Sequence, residues 1–172
     1  MPILNQLLRA LSSLARQATR SEPSATRAGR QTPAPAANGY PGDFTGIPQL
    51  QYQPRADSAA DPGEVVWTWV PYEEDHSQGK DRPVLVIGWD GPWLLALPMT
   101  SQDHDRDARQ EAAAGRYWCD IGSGDWDRNG RPSEVRVNRI LRVDPGSVRR
   151  IAARLDIDRF DQVARQVLQH AG

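Results

Sequence analysis

The sequence predicts a β-rich α+β fold: a small antiparallel barrel with C-terminal helices, preceded by an amphipathic helix and a flexible linker. Three observations point to it. Five short runs of β-branched and aromatic residues lie between Gly-, Pro- and Asp-rich turns after residue 60. Helical periodicity takes over near the C-terminus. All six Trp also lie beyond residue 60, so the material for a core is there.

Residues 1–20 place Ile3, Leu4, Leu7, Leu8, Leu11 and Leu14 on one helical face, with Arg9, Arg16 and Arg20 off it. This reads as a short amphipathic helix, marginal when isolated. Residues 21–60 are rich in Pro, Ala, Gly and Ser and show no period. Such a composition cannot offset the entropy of ordering, so it reads as a flexible linker. Tyr40, Phe44, Leu50 and Tyr52 are the residues in it able to touch the domain. The domain itself is residues 61–172, and a chain lacking 1–60 is expected to stay folded because no Trp is lost with them.

EVVWTWV is the first strand, and RPVLVIG the second, with Pro83 tolerated near its start. WDGP turns the chain into WLLALPM, the third strand. A polar loop leads to RYWCDI, the fourth, and GSGDWDRNGRPS turns into EVRVNRILRV, the fifth. Val135, Val137 and Ile140 are its inward residues. Asp144-Pro145-Gly146 ends it. SVRRIAARL and DIDRFDQVARQVLQHA then carry helical periodicity, with Ile151, Leu155, Phe160, Val163 and Val167 as the buried stripe and Asp156 as N-cap of the last helix.

Composition narrows the function classes. Residues 1–60 hold six Arg against three acids, while residues 61–172 hold fifteen basic residues against nineteen acidic ones, so the domain is mildly acidic. With twenty Arg and one Lys, Arg abundance reflects base composition as readily as nucleic-acid binding. The single cysteine, Cys119, excludes an internal disulfide and a multi-cysteine metal site, and reads as a small buried hydrophobe. No apolar run approaches the ~20 residues that span a bilayer. Asn5 and Arg9 interrupt any signal-peptide core, so a cytoplasmic location is expected.

Charge and hydroxyls gather at the strand ends. His76, Gln78, Lys80 and Arg82 precede the second strand, Thr100, Ser101 and Gln102 follow the third, and Arg136, Asn138 and Arg139 sit on the fifth. In a meander, the loops after strands one and three share a rim. An Arg/Thr/His set suits a phosphodiester. Cleaving RNA requires a proton to leave the 2′-hydroxyl, a proton to reach the leaving 5′-oxygen, and cations on the phosphorane. Arg82 and Arg136 would be two-pronged charge clamps, Thr100 would hold a non-bridging oxygen, and His76 would carry the proton. The same residues also suit ordinary roles: a solvated loop histidine, an arginine at a strand edge, a Thr-Ser turn, and a strand's solvent face. His104 and His170 receive no role.

GEVVWTWVP, HSQGKDRPVLVIG, LALPMTSQ and SEVRVNRILRVDPGSVRRIAARLDIDRFDQVARQVL resemble, in order and spacing, the MazF/PemK family of toxins of bacterial type II toxin–antitoxin systems. The resemblance spans roughly residues 62–170, and RP-VLVI with PMTSQ is its most specific part. It implies an SH3-like barrel that dimerises and cleaves single-stranded RNA without metal or cofactor. It also implies a cognate antitoxin whose C-terminal peptide lies along the RNA groove. By the same resemblance Arg82, Thr100, His76 and Arg136 are the catalytic residues. Gln78, Lys80, Ser101, Gln102 and Asn138 would line the RNA path. The family's aspartate, often proposed as the base, corresponds to Asn138 here, and an amide cannot carry a proton. His76 is the preferred replacement, with Glu74 or Asp75 behind it.

Two other readings stand beside the nuclease. One is a catalytically silent barrel that binds nucleic acid or an antitoxin peptide as a regulator, which Asn138 keeps open. The other is an adaptor tethered to a membrane by the N-terminal helix, the weakest of the three.

Overall fold

The computed structural model describes residues 39–103 and 107–171; the expected N-terminal helix and most of the expected linker lie outside them. Ten regular elements follow: β1 (Glu64–Pro71), β2 (Gly79–Asp90), β3 (Trp93–Thr100), α1 (Ala108–Ala113), β4 (Trp118–Gly122), β5 (Ser133–Arg136), β6 (Leu141–Val143), a 3-10 turn (Pro145–Ser147), β7 (Arg150–Arg154) and α2 (Ile157–His170). All strand pairs are antiparallel, in the order β4-β5-β3-β2-β1-β7, with β6 also on β3.

The twelve-residue β2 organises the sheet. Its first half pairs with β1 (Pro71↔Gly79 through Val65↔Leu85), its second with β3 (Val84↔Pro98 through Asp90↔Trp93). Gly91 makes the turn into β3 at φ +56°, which a side chain rarely adopts, and Pro92 supplies the fixed negative φ after it. Successive residues of the VLVI run point into two separate apolar clusters. Leu85 and Ile87 join Leu97, Val135, Phe160 and Val163 on one side. Val84 and Val86 join Val66, Leu94, Ala96 and Leu141 on the other. Both faces of the central strands are therefore buried, which is why this run is continuously apolar instead of alternating.

Three expectations give way. The fifth strand is two strands, β5 on the C-terminal end of β3 (Met99↔Val135) and β6 on its N-terminal end (Leu95↔Arg142), with a turn at residues 137–138 between them. SVRRIAARL is not a helix. Its residues 150–154 form β7 on the free edge of β1, a tertiary pairing that overrides local periodicity in a segment too short to nucleate a helix well. The strands form one open antiparallel sheet, its path ending at β4 and β7. Within the expected polar loop after β3, the good helix formers ARQEAA make α1.

The last helix forms as read. The Asp156 side chain accepts the Asp158 N–H at 3.0 Å, and Phe160, Val163 and Val167 are buried. Leu155 is buried as well, while Ile151 packs at the edge of the second cluster. Cys119 is buried, and burial pushes its thiol up to about 11. No helix among the described residues is long and apolar enough to cross a membrane.

The stretch from residue 40 to 53 forms a strap along the domain. Phe44 bridges Ile140 and Leu50 bridges Gly88; the Gln51 N–H donates to the Ile87 carbonyl at 2.9 Å. A Cβ on Gly88 would strike the Gln49 carbonyl. Tyr52 lies 5.2 Å from the Phe160 ring and its hydroxyl donates to the Leu155 carbonyl at 2.8 Å. Phe44, Leu50 and Tyr52 all pack on the main cluster. The sequence marked these residues as able to touch the domain but not where, because each contact partner lies far along the chain.

A chain beginning at residue 61 should accordingly be less stable than one beginning at 39. Three half-buried apolar side chains are worth about 3 kcal/mol together, a fall in melting temperature of roughly 10 °C. Coincident thermal melts of the two chains would show the strap contributes nothing.

Candidate functional site

Strand alternation assembles one polar face. Val84 and Pro98 are opposite each other, and continuing that register by two residues sets Arg82 opposite Thr100. Here the strands part: β2 stays with β1, where Arg82 opposes Thr68, and β3 passes to β5, where Thr100 opposes Glu134. Two residues further on β5 is Arg136, opposite Trp118, with Asp120 opposite Glu134. Arg82, Thr100, Glu134 and Arg136 thus share the face that carries the second apolar cluster, just beyond where it ends.

The β1–β2 loop folds over this face. The Tyr72 N–H donates to the Gln78 carbonyl at 2.8 Å, closing the loop. Asp75 organises its tip, accepting from the Ser77 hydroxyl (2.6 Å), the Ser77 N–H (3.0 Å) and the Gln78 amide (2.8 Å). The Ser77 bonds hold the Asp75 carboxyl below its ordinary range. Glu73 reaches across to Arg136 in a two-pronged ion pair, at 2.6 and 3.0 Å. The Arg136 guanidinium in turn holds Glu73 below the usual carboxylate range. Arg136 is only 8% exposed.

Arg82 differs. It is half-buried, and among the described residues no carboxylate or carbonyl bonds its guanidinium. The Thr100 hydroxyl oxygen accepts the Gln102 N–H at 3.1 Å, which leaves its own proton free to donate. Ser101 and Gln102 continue past the strand as that turn. Lys80 lies two residues before Arg82, its ammonium 6.0 Å from the Tyr72 ring centroid. His76 is exposed, and the Tyr40 ring meets it edge-on at 5.0 Å and 83°.

Asn138 is a bracket. Its amide oxygen accepts from the Tyr117 N–H (3.2 Å) and Arg136 Nε (3.3 Å), and its amide nitrogen donates to the Gly115 carbonyl at 2.5 Å. An aspartate could not make that last bond, so the amide suits this backbone. Arg139, also 8% exposed, donates to Asp43 (2.9 Å) and to the Pro71 carbonyl (2.9 Å), which makes it structural.

Arg82, Thr100, Arg136 and Asn138 therefore come together on or beside one face, while His76, Gln78 and Lys80 belong to the hairpin that borders it. Gln78 is committed to Asp75, and Asn138 to the fold. Sequence reasoning missed Glu73 and Asp43, and named Tyr40 only as able to touch the domain. For Glu73 a signal existed, an acidic pair beside scarce cations; for Asp43 there was none. Chemically the face offers a two-pronged cation, a hydroxyl donor, a second cation masked by a carboxylate, and an imidazole.

The family model described as PemK-like, MazF-like toxin of type II toxin–antitoxin system matches residues 61–171. Among solved structures, the chain is similar to MazF (Form-I) from Deinococcus radiodurans. Identity is 23% over 65% of this chain and 94% of that one, with a TM-score of 0.46. It is also similar to the MazE-MazF (Form-II) crystal structure from the same organism, at 20% identity, 64% and 94% coverage, and a TM-score of 0.44. No curated protein matches. With more than half of its length matched by that model, the chain belongs to the PemK-like, MazF-like toxins of type II toxin–antitoxin systems.

Proposed function

We propose that the chain is an endoribonuclease that cuts single-stranded RNA at selected sequences without a metal ion, acting as a cytoplasmic homodimer restrained by a cognate antitoxin. On this reading the open sheet is the family's SH3-like barrel. The observation that supports it best is Arg82: a guanidinium with no carboxylate partner among the described residues, on the same sheet face as Thr100, just past the point where β2 and β3 part. An arginine held half-buried on a rigid strand and left unneutralised fits an anionic ligand better than it fits a stability role.

The chemistry follows from the groups. The 2′-oxygen attacks phosphorus as its proton leaves, and the P–O5′ bond breaks as that oxygen gains one. The products are a 2′,3′-cyclic phosphate and a 5′-hydroxyl. Arg82 grips two non-bridging oxygens of the phosphorane and Thr100 donates to one. His76 is the mobile proton carrier. Arg136 serves as the second cation once phosphate displaces Glu73. Lys80 and Gln102 flank the RNA path.

The silent-barrel reading also has an observation behind it. Asn138 is tied to Gly115 and Tyr117, and Arg136 to Glu73, so two positions that the family uses for chemistry are engaged by the protein itself.

The purified chain should cleave a labelled RNA pool in EDTA. Arg82→Ala should lose ~10²–10³ in rate. Arg82→Lys should lose nearly as much, because an ammonium cannot make the two-pronged contact. Thr100→Ala should cost only ~0.5–1.5 kcal/mol. With circular dichroism confirming the fold, wild-type cutting by Arg82→Ala would move the site elsewhere and favour the silent barrel.

Glu73→Gln should tighten binding of a non-cleavable oligonucleotide by up to about fivefold, since an ion pair whose carboxylate side is open to solvent is worth roughly 1 kcal/mol. Glu73 has a depressed folded pKa, so the pair is complete above the ordinary carboxylate value of about 4.3 and is lost as pH falls through the depressed one. At neutral pH the loop is latched. Unchanged affinity in a fluorescence titration at pH 7 would show that the latch does not compete with phosphate.

A further inference from the structure

His76 lies at the tip of an exposed loop, yet its ring is not free. Tyr40 meets it edge-on, and Tyr40 belongs to the strap, outside the segment that matches the toxin family. The strap at this point is pinned unusually well. The Tyr40 hydroxyl donates to one oxygen of Asp43 at 2.5 Å, and the other oxygen accepts from Arg139 Nε at 2.9 Å. Arg142 donates to the Gly42 and Asp43 carbonyls at 3.2 and 3.1 Å and lies 5.3 Å over the Phe44 ring. The Phe44 N–H closes a backbone bond to Ile140 at 2.8 Å. Arg139 also holds the Pro71 carbonyl, where the β1–β2 loop departs. One arginine thus fixes both the strap that carries Tyr40 and the root of the loop that carries His76.

We propose that Tyr40 is a positioning residue for His76, so that the strap preceding the family-matched domain completes the catalytic site. This rests on the nuclease reading above. A loop imidazole alone samples many rotamers, and proton transfer needs it within about 3 Å of one oxygen. An edge-to-face ring held from the opposite side removes part of that freedom, an aromatic contact worth ~0.5–1.5 kcal/mol. Tyr40 does not itself carry the proton. Burial and its bond to Asp43 raise the phenol far above its ordinary range, and its hydrogen is committed to that carboxylate.

The test uses the full chain and two variants. Tyr40→Phe keeps the ring and loses only the hydroxyl, whereas Tyr40→Leu keeps apolar bulk and loses the ring. Proton–carbon NMR of the His76 imidazole, assigned with His76→Gln, reads the contact without any turnover. Wild type and Tyr40→Phe should show ring-current-shifted His76 carbon-bound protons, and Tyr40→Leu should return them to the values of a free histidine. In cleavage assays Tyr40→Leu should lower kcat about three- to tenfold with KM little changed, and Tyr40→Phe should keep more than half of the rate. In a His76→Gln background Tyr40→Leu should add no further loss, because a residue acting only through His76 has nothing left to act on. Thermal melts separate a folding defect from a positioning one.

Unshifted His76 protons in the wild type would overturn the proposal, as would a full additional loss in the double variant. A wild type that cuts RNA alongside a Tyr40→Leu variant that cuts equally well would remove the positioning role alone. A wild type that shows the shifted protons and cuts no RNA under any condition would instead remove the nuclease reading, and with it any catalytic meaning of the contact.

Discussion

Burial of both faces of β2 between Val84 and Ile87 governs where everything else can go. A strand that is apolar on both sides can carry polar groups only beyond its buried run, because an unpaired charge within it would cost several kcal/mol. The preceding residues, Lys80 through Arg82, extend past the clusters while still paired to β1, so they are polar yet backbone-rigid. The same limit acts on β3, whose apolar run ends at Met99 and whose next residue is Thr100. The polar face is therefore a consequence of where the core stops. Its precision comes from the ladder bonds that continue after the core ends.

Three arginines near this face show how differently one side-chain type can be used. Arg139 is structural: nearly buried, it spends its donors on Asp43 and the Pro71 carbonyl. Arg136 is masked, with Glu73 in the position an incoming carboxylate or phosphate would take. Arg82 has the uncharged Thr68 as its register partner, and shares its sheet face with Thr100 where β3 has passed to β5. Loss of Arg139 would take a cation from the half-buried Asp43 carboxylate and a donor from the Pro71 carbonyl, and so act on folding. A change at Arg82 disturbs no such partner, so its effects should appear in binding and chemistry.

The parts of the fold legible in the sequence were those set locally. VLVI could only be a buried strand, WDGP could only be a turn, and Asp156 followed by an apolar stripe could only open a helix. What was not legible depended on partners distant in the chain. RIAAR has no strong strand signature and became β7 because β1 offered an open edge. The run through Val137 and Asn138 broke because β3 needs different neighbours at its two ends, and the Asn138 amide found the Gly115 carbonyl instead of a ladder. For the candidate site, Arg82, Thr100 and Arg136 were readable from strand ends and alternation. The Glu73 latch and the Tyr40 contact were not, since an acidic loop and a Pro-rich segment carry no mark of the side chain they will meet.

The mildly acidic domain looks at first unsuited to RNA, but net charge is the wrong quantity at this scale. Arg142 is paired with Asp90, Arg116 with Glu111, and Arg131 with Asp127, each at 2.7–2.9 Å. Such pairs cancel over a distance shorter than the ~8 Å Debye length, so a ligand several ångströms away feels little of either partner. What remains near the face is set by Arg82 and Lys80, two residues apart on one face of β2, which form no ion pair among the described residues. Phosphate backbones are recognised by local potential, so one guanidinium without a carboxylate partner among the described residues can outweigh a net charge spread over paired groups elsewhere.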